Sequence, residues 1–268
     1  MESDGSSQVW YAAYGSNLFE RRFDYYRAGG NPPGTSRTYP GFRDSTPPRA
    51  SRPLTLPGTI YFSWESPVWT GGIAFYAQRP AGGWPAGAAA RGYLLTVEQF
   101  DDLLAQEMYR VPGATADLEL DEVVRNGKVR LGEGRYETLL HVADLDGVPV
   151  LTFTSPWEPG TVELNKPTPR YLGMLAAGLR ESHGWTSARI LSYLAELPGV
   201  QGFWSIDKLT DVVSGSASRG GVNGGGPPPR GGHRTTRALF ARPPLCNTVH
   251  NVGLFVDNPK TLHPSYFC

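Results

Sequence analysis

The sequence predicts an α+β fold followed by a flexible C-terminal tail, and three observations carry that reading. Short runs rich in aromatic and aliphatic residues recur between Gly, Pro and Asp-Gly punctuation, as strands do. Longer stretches with apolar residues at helical spacing lie among them, several opened by a Thr, Ser or Asn in cap position. From 214 to 233 the chain is rich in Gly, Pro and Ser and cannot bury a core, so it reads as a disordered linker.

Taken in order, residues 1–8 are polar and read as a disordered N-terminus. Val9 to Tyr14 is an apolar, aromatic-rich strand that stops at Gly15 and turns directly into a helix. Asn17 is a favoured N-cap, and Glu20 completes a capping-box spacing for a helix through Phe23 and Tyr26. Residues 29–70 carry many Pro, Gly, Ser and Arg, which predicts short elements and long loops. Gly71 to Gln78 is a strand, with Ile73, Phe75 and Ala77 alternating against Tyr76 and Gln78. A turn over 80–90 leads to a second strand from Gly92 to Leu95. Thr96 caps a helix, with Gln99 at the capping-box position, that runs to about Tyr109 and ends at Pro112-Gly113. Residues 114–134 read as an extended insertion. Arg135 to Val142 is a strand, Asp146-Gly147 a hairpin turn, and Val148 to Thr154 the returning strand. Thr168 and Pro169 start a helix that carries Tyr171, Met174, Leu175, Gly178 and Leu179 on one face. Another runs from Ser187 to about Leu197 and stops at Pro198-Gly199. Residues 9–212 thus form the domain, and 213–268 a linker and tail to which the sequence assigns no role.

Lys plus Arg equals Asp plus Glu at 25 each, so no charge excess argues for a nucleic-acid partner. With 33 glycines and 24 prolines the chain is rich in turns. The two cysteines, Cys246 and Cys268, both lie near the C-terminus and form no disulfide framework. The first residues lack the charged and apolar regions of a signal peptide, and no apolar run approaches the ~18 residues needed to span a bilayer. These features predict a cytoplasmic protein without a membrane partner.

The strand–Gly–helix junction at Tyr14-Gly15-Ser16-Asn17 aims several backbone N–H groups at one spot, which suits an anion or a developing oxyanion. The same residues also fit an ordinary tight turn. The helix after Thr96 holds a second unusual position. Val97, Phe100, Leu103 and Leu104 make its apolar stripe, with Glu98, Gln99, Asp102 and Gln106 on the opposite, solvated side. Glu107 falls within the apolar stripe at the last turn. It either frays into water or is buried, where desolvation would raise its pKa toward that of a general base.

The octapeptide Tyr11-Ala12-Ala13-Tyr14-Gly15-Ser16-Asn17-Leu18 resembles the substrate loop of the gamma-glutamylcyclotransferase family. The order of the rest is similar to that family too: Gly71-Gly72-Ile73-Ala74, then Arg91-Gly92-Tyr93-Leu94-Leu95, then Leu103-Leu104-Ala105-Gln106-Glu107 closing a helix. Tyr136, and Tyr171 after Pro167-Thr168-Pro169-Arg170, resemble two substrate-contacting tyrosines. The likeness runs from about 9 to 197. It implies a small mixed β-barrel or strongly curved sheet with flanking helices and a pocket at one mouth. The stretches 30–70 and 108–134 are longer than the family's usual connections, and nothing after about 213 has a counterpart.

The resemblance implies cyclisation of a gamma-glutamyl amide to 5-oxoproline, a reaction that needs neither metal nor cofactor. Glu107 would be the general acid/base. Tyr11, Ala12, Ala13, Tyr14, Gly15, Ser16, Asn17, Tyr136 and Tyr171 would bind a small gamma-glutamyl substrate, the loop amides holding its carboxylate or the oxyanion and the tyrosines donating hydroxyl hydrogen bonds. Other enzymes that cleave or transfer amides on the same residues, and a binding protein for an anionic ligand, remain alternatives. Competing motifs are poorer. Ser16 lacks the Gly-x-Ser-x-Gly elbow of a hydrolase, and the glycines of 220–226 follow no strand and make no phosphate loop. Cys246 and His250 have no second ligand pair nearby. His141 and His183 are isolated, and the aromatic residues lack the basic patch of a base-stacking surface.

Overall fold

The computed structural model describes residues 7–33, 35, 37–113 and 120–215. The expected linker and tail beyond 215, with Cys246, His250 and Cys268, lie outside the described residues.

The first strand, β1 (Gln8–Ala13), is the centre of the molecule. It is followed by a single 3-10 turn (Ser16–Leu18) and α1 (Glu20–Ala28). Then come β2 (Ala50–Leu56), β3 (Thr59–Ser63), β4 (Ile73–Ala77), β5 (Ala88–Thr96) and α2 (Val97–Glu107). The chain continues with α3 (Leu120–Asn126), β6 (Lys128–Arg130), β7 (Thr138–Leu145), β8 (Val148–Thr154), α4 (Pro169–His183), α5 (Ser187–Glu196) and α6 (Ile206–Ser214).

Six strands form one mixed sheet in the order β2-β5-β1-β8-β7-β6, and β3 and β4 form a separate ribbon. All pairs are antiparallel except β1 with β8, which run parallel through Trp10↔Val150 and Tyr11↔Leu151. The sheet is curved and stays open, with β2 and β6 at its edges, so of the two architectures expected it takes the curved sheet. The Thr154 hydroxyl stitches the ribbon to it, accepting from the Tyr76 N–H (3.0 Å) and donating to the Tyr76 carbonyl (2.8 Å).

The two-residue period of β1 divides the core. Val9, Tyr11 and Ala13 face α1 and α2 with Phe23, Phe100, Leu103 and Leu104. Trp10 and Ala12 face the ribbon and α4–α6 with Phe75, Leu172 and Leu179. Covered on both sides, β1 reads as an unbroken apolar run.

Several expectations are corrected. Asn17 caps nothing: α1 begins at Glu20, its N-cap is Phe19, and no side chain caps it. The 3-10 turn occupies Asn17 and turns its side chain inward instead. Two strands, β2 and β3, stand in the segment read as short elements between long loops, and β5 begins at Ala88 inside the expected turn. The described part of the insertion holds α3 and β6, while β7 starts three residues after Arg135. Tyr136 therefore precedes the strand rather than lying in it. Finally, α6 fills a stretch left unassigned, and its last residue, Ser214, was expected to open the linker.

Of the polar side of α2 only Glu98 is solvated as expected. Gln99, Asp102 and Gln106 are buried because residues 39–49 pack over them. Asp102 accepts from the Arg43 N–H (2.7 Å) and Nε (2.8 Å), Gln106 Nε2 donates to the Tyr26 and Gly41 carbonyls, and Gln99 Nε2 donates to the Asp44 and Thr46 carbonyls. A polar face thus marks contact with backbone here.

Candidate active site

Strand and helix length bring the two halves of the site level. Gln8 pairs with Thr96, so β1 leaves and α2 starts at the same end of the sheet. From Gln8 to Ala13 the strand β1 rises about 17 Å, and from Val97 to Glu107 the helix α2 rises about 15 Å. Thr96 fixes the helix start with a complete capping box to Gln99. Glu107, the last helical residue, therefore arrives beside the loop that follows β1.

That loop is held by its carbonyls. Leu18 N–H donates to the Gly15 carbonyl (3.0 Å), the Tyr93 hydroxyl to that of Asn17 (2.9 Å), and Arg91 Nη1 to that of Leu18 (3.4 Å). The first intrahelical donor is Leu18, so the N–H groups of Gly15, Ser16 and Asn17 precede the 3-10 turn's own bonds. Helix α4 backs the turn: a Cβ on Gly178 would lie 2.5 Å from the Leu18 backbone. A Cβ on Gly15 would come 3.1 Å from the Tyr171 hydroxyl.

Between loop and helix end lies a cavity of about 60 Å³, lined among others by Tyr11, Tyr14, Gly15, Ser16, Asn17, Glu107, Tyr136 and Tyr171. Ala12 and Ala13 do not reach it. Both are fully buried within β1, where the Ala12 carbonyl accepts from the Thr152 hydroxyl (2.8 Å), and they serve as the spacer between Tyr11 and Tyr14.

Glu107 is buried, with 8% of its surface exposed. It forms no ion pair among the described residues and accepts one long hydrogen bond, from Asn17 Nδ2 at 3.4 Å. The same Nδ2 reaches the Tyr11 hydroxyl, also at 3.4 Å, while Asn17 Oδ1 is buried without a partner. Burial first, then the charge of Glu107, pushes the Tyr11 and Tyr26 hydroxyls far above their ordinary pKa. Burial also raises Tyr14, Tyr136 and Tyr171, so the pocket tyrosines stay neutral phenols at neutral pH.

Their protons are not equally available. Tyr14 donates to the Phe153 carbonyl (2.7 Å) and Tyr136 to the Ala74 carbonyl (2.9 Å). Both hydroxyls face the site as acceptors, contrary to the expectation that they donate to a ligand. Tyr171 instead accepts from the Ala74 N–H (3.2 Å), with the Ser16 backbone also against it, and keeps its own proton.

The sequence reading missed Arg22, Tyr26, Arg37, Tyr39, Trp69 and Arg135, which also line the cavity. Arg22 is 4% exposed, stacks on Tyr26 (4.9 Å) and Tyr39 (4.7 Å), and donates to the Tyr39 hydroxyl. A signal for it was present, since Phe19, Arg22, Phe23 and Tyr26 make one helical stripe with a cation inside it. Arg37 and Arg135 both stack on Tyr109 (4.1 and 4.5 Å). Among the described residues no group of three or more His, Cys, Asp or Glu side chains could hold a metal ion. No described helix is long and apolar enough to cross a membrane.

No protein-family model matches the chain. A curated relative, histone deacetylase 5 of Arabidopsis thaliana, is 29% identical over 187 aligned positions that cover 65% of this chain. The chain spans 28% of that protein's length. Among solved structures the chain is similar to one named gamma-glutamyl cyclotransferase, at 16% identity and a TM-score of 0.40, covering 78% of this chain and 99% of that one. It is also similar to an uncharacterized protein from Homo sapiens, at 17% identity and a TM-score of 0.38, with the same coverage.

Proposed function

We propose that this chain cyclises a small gamma-glutamyl amide to 5-oxoproline and releases an amine or amino acid. The observation that carries the reading is Glu107: a carboxylate buried in a cavity across from the loop after β1, in no ion pair among the described residues although the charge of Arg22 in the same cavity acts on it. A pure packing site gains nothing from such a group.

In this reading the substrate's α-amine attacks its own side-chain carbonyl, so no enzyme nucleophile is required and confinement of the bent conformer supplies much of the rate. Glu107 removes a proton from the α-ammonium. After the ring closes, it returns that proton to the departing nitrogen as the amide C–N bond breaks, then takes the second proton from the ring nitrogen, which becomes the lactam N–H, and passes it to the released amine. The N–H groups of Gly15 and Asn17 and the hydroxyl proton of Tyr171, an oxygen against which the Ser16 N–H already rests, stabilise the oxyanion. The partner is thus a small molecule, and the reaction as written uses no cofactor.

The test is 5-oxoproline release from a panel of gamma-glutamyl amines and dipeptides by the wild type and by Glu107→Gln. The variant should lose about 10²- to 10⁴-fold in kcat while its thermal transition stays close to that of the wild type. Product formation that survives the substitution removes Glu107 from the mechanism. If the wild type yields no 5-oxoproline, free glutamate or a transferred glutamyl group in the same mixtures would point to an amide-cleaving or amine-transferring enzyme. Binding without any product would point to a binding protein.

A further inference from the structure

Five buried side-chain polar atoms among the described residues have no partner, and three of them belong to two residues lining the cavity: Asn17 Oδ1, Arg22 Nε and Arg22 Nη1. An unpartnered guanidinium nitrogen is costly to bury. Stacking on Tyr26 and Tyr39 and the bond to the Tyr39 hydroxyl hold the Arg22 cation in place but leave these two donors unused. The cavity lining therefore includes a cation with two unused donors, Asn17 with an unused acceptor, and one buried carboxylate, Glu107, whose charge acts on Arg22.

The head of a free α-amino acid has the complementary pattern. Its carboxylate accepts from a guanidinium in charge-assisted bonds, and its ammonium donates to an amide oxygen and a carboxylate. We propose that Arg22 anchors the α-carboxylate of the substrate while Asn17 Oδ1 and Glu107 receive its α-ammonium. The site then reads a zwitterionic α-carbon and admits only gamma-linked amides whose α-carboxyl and α-amine are both free. This assignment rests on the cyclisation reading and deepens it. With Arg22 on the carboxylate, the loop amides are left to the oxyanion.

The test compares kcat/KM for γ-L-glutamyl-L-alanine and for its analogue with the glutamyl α-carboxyl converted to a carboxamide, in the full chain and in Arg22→Met and Arg22→Lys. The wild type should prefer the carboxylate by about 30-fold or more, Arg22→Met should bring the ratio close to one, and Arg22→Lys should keep part of it. A purely structural Arg22 would slow both substrates alike, and an unchanged ratio overturns the proposal. If Arg22→Met does not fold by circular dichroism, Arg22→Lys decides: a reduced ratio supports the anchor and an unchanged one overturns it. If the wild type forms 5-oxoproline from neither compound, the cyclisation reading falls by itself, and calorimetric binding of the same two compounds reads Arg22. Preference for the carboxylate that Arg22→Lys weakens supports the anchor. Equal binding of both, or binding of neither, overturns it.

Discussion

At the scale of single residues, the hydroxyls of the pocket divide into two kinds, and substitution separates them. Tyr14→Phe strips the buried Phe153 carbonyl of its donor and should cost about 1–3 kcal/mol of stability in urea unfolding, with a smaller effect on turnover. Tyr171→Phe removes a proton for which no acceptor stands among the described residues, so it should lower kcat more than it lowers the unfolding free energy. The sequence made Glu107 visible because one carboxylate broke an apolar stripe. Arg22 broke the stripe of α1 in the same way, so the identical argument applied to a cation would have found it. Tyr14, Tyr136 and Tyr171 were legible as residues but not as donors or acceptors. That depends on which carbonyl lies opposite, and Phe153 and Ala74 are 139 and 62 residues away in the chain.

At the scale of elements, local signals located helices better than strands. Thr96 and Thr168 both cap as read, because the cap and the residue it binds lie three positions apart. Asn17 carried the same signal and failed, since its side chain is drawn toward Glu107, 90 residues away. Strand β2 contains Pro53, which argues against a strand from sequence, yet it is tolerated at the sheet edge where β2 pairs only with β5. Helix α4 positions the loop after β1 by close packing on its backbone, so Gly178→Ala should push the Leu18 segment away. The expected loss is about 1–3 kcal/mol in denaturant unfolding, with a fall in kcat/KM although Gly178 does not line the cavity.

At the scale of the whole molecule, the unbroken apolar run of β1 is what a strand covered on both faces carries, whereas the covering of the polar face of α2 by residues 39–49 had no local sign. Stability should also carry a pH dependence from His183, which closes α4. Burial lowers its pKa below the ordinary 6.5. The unfolded chain therefore takes up the proton first, and the stabilisation is complete above about pH 6.5 and lost as the pH falls through the window below it. Urea midpoints at pH 7.5 and pH 5 should differ less in His183→Gln than in the wild type. The matched rise of β1 and α2 has a further consequence, because it works as a gauge between two separately encoded halves of one site. One residue inserted into α2 after Leu103 would turn Glu107 by about 100° and advance it by about 1.5 Å, swinging the carboxylate out of the cavity while the helix itself survives. Lengthening the connection beyond Glu107 leaves that alignment untouched. Change in this scaffold is therefore free where the chain leaves the gauge and forbidden along it.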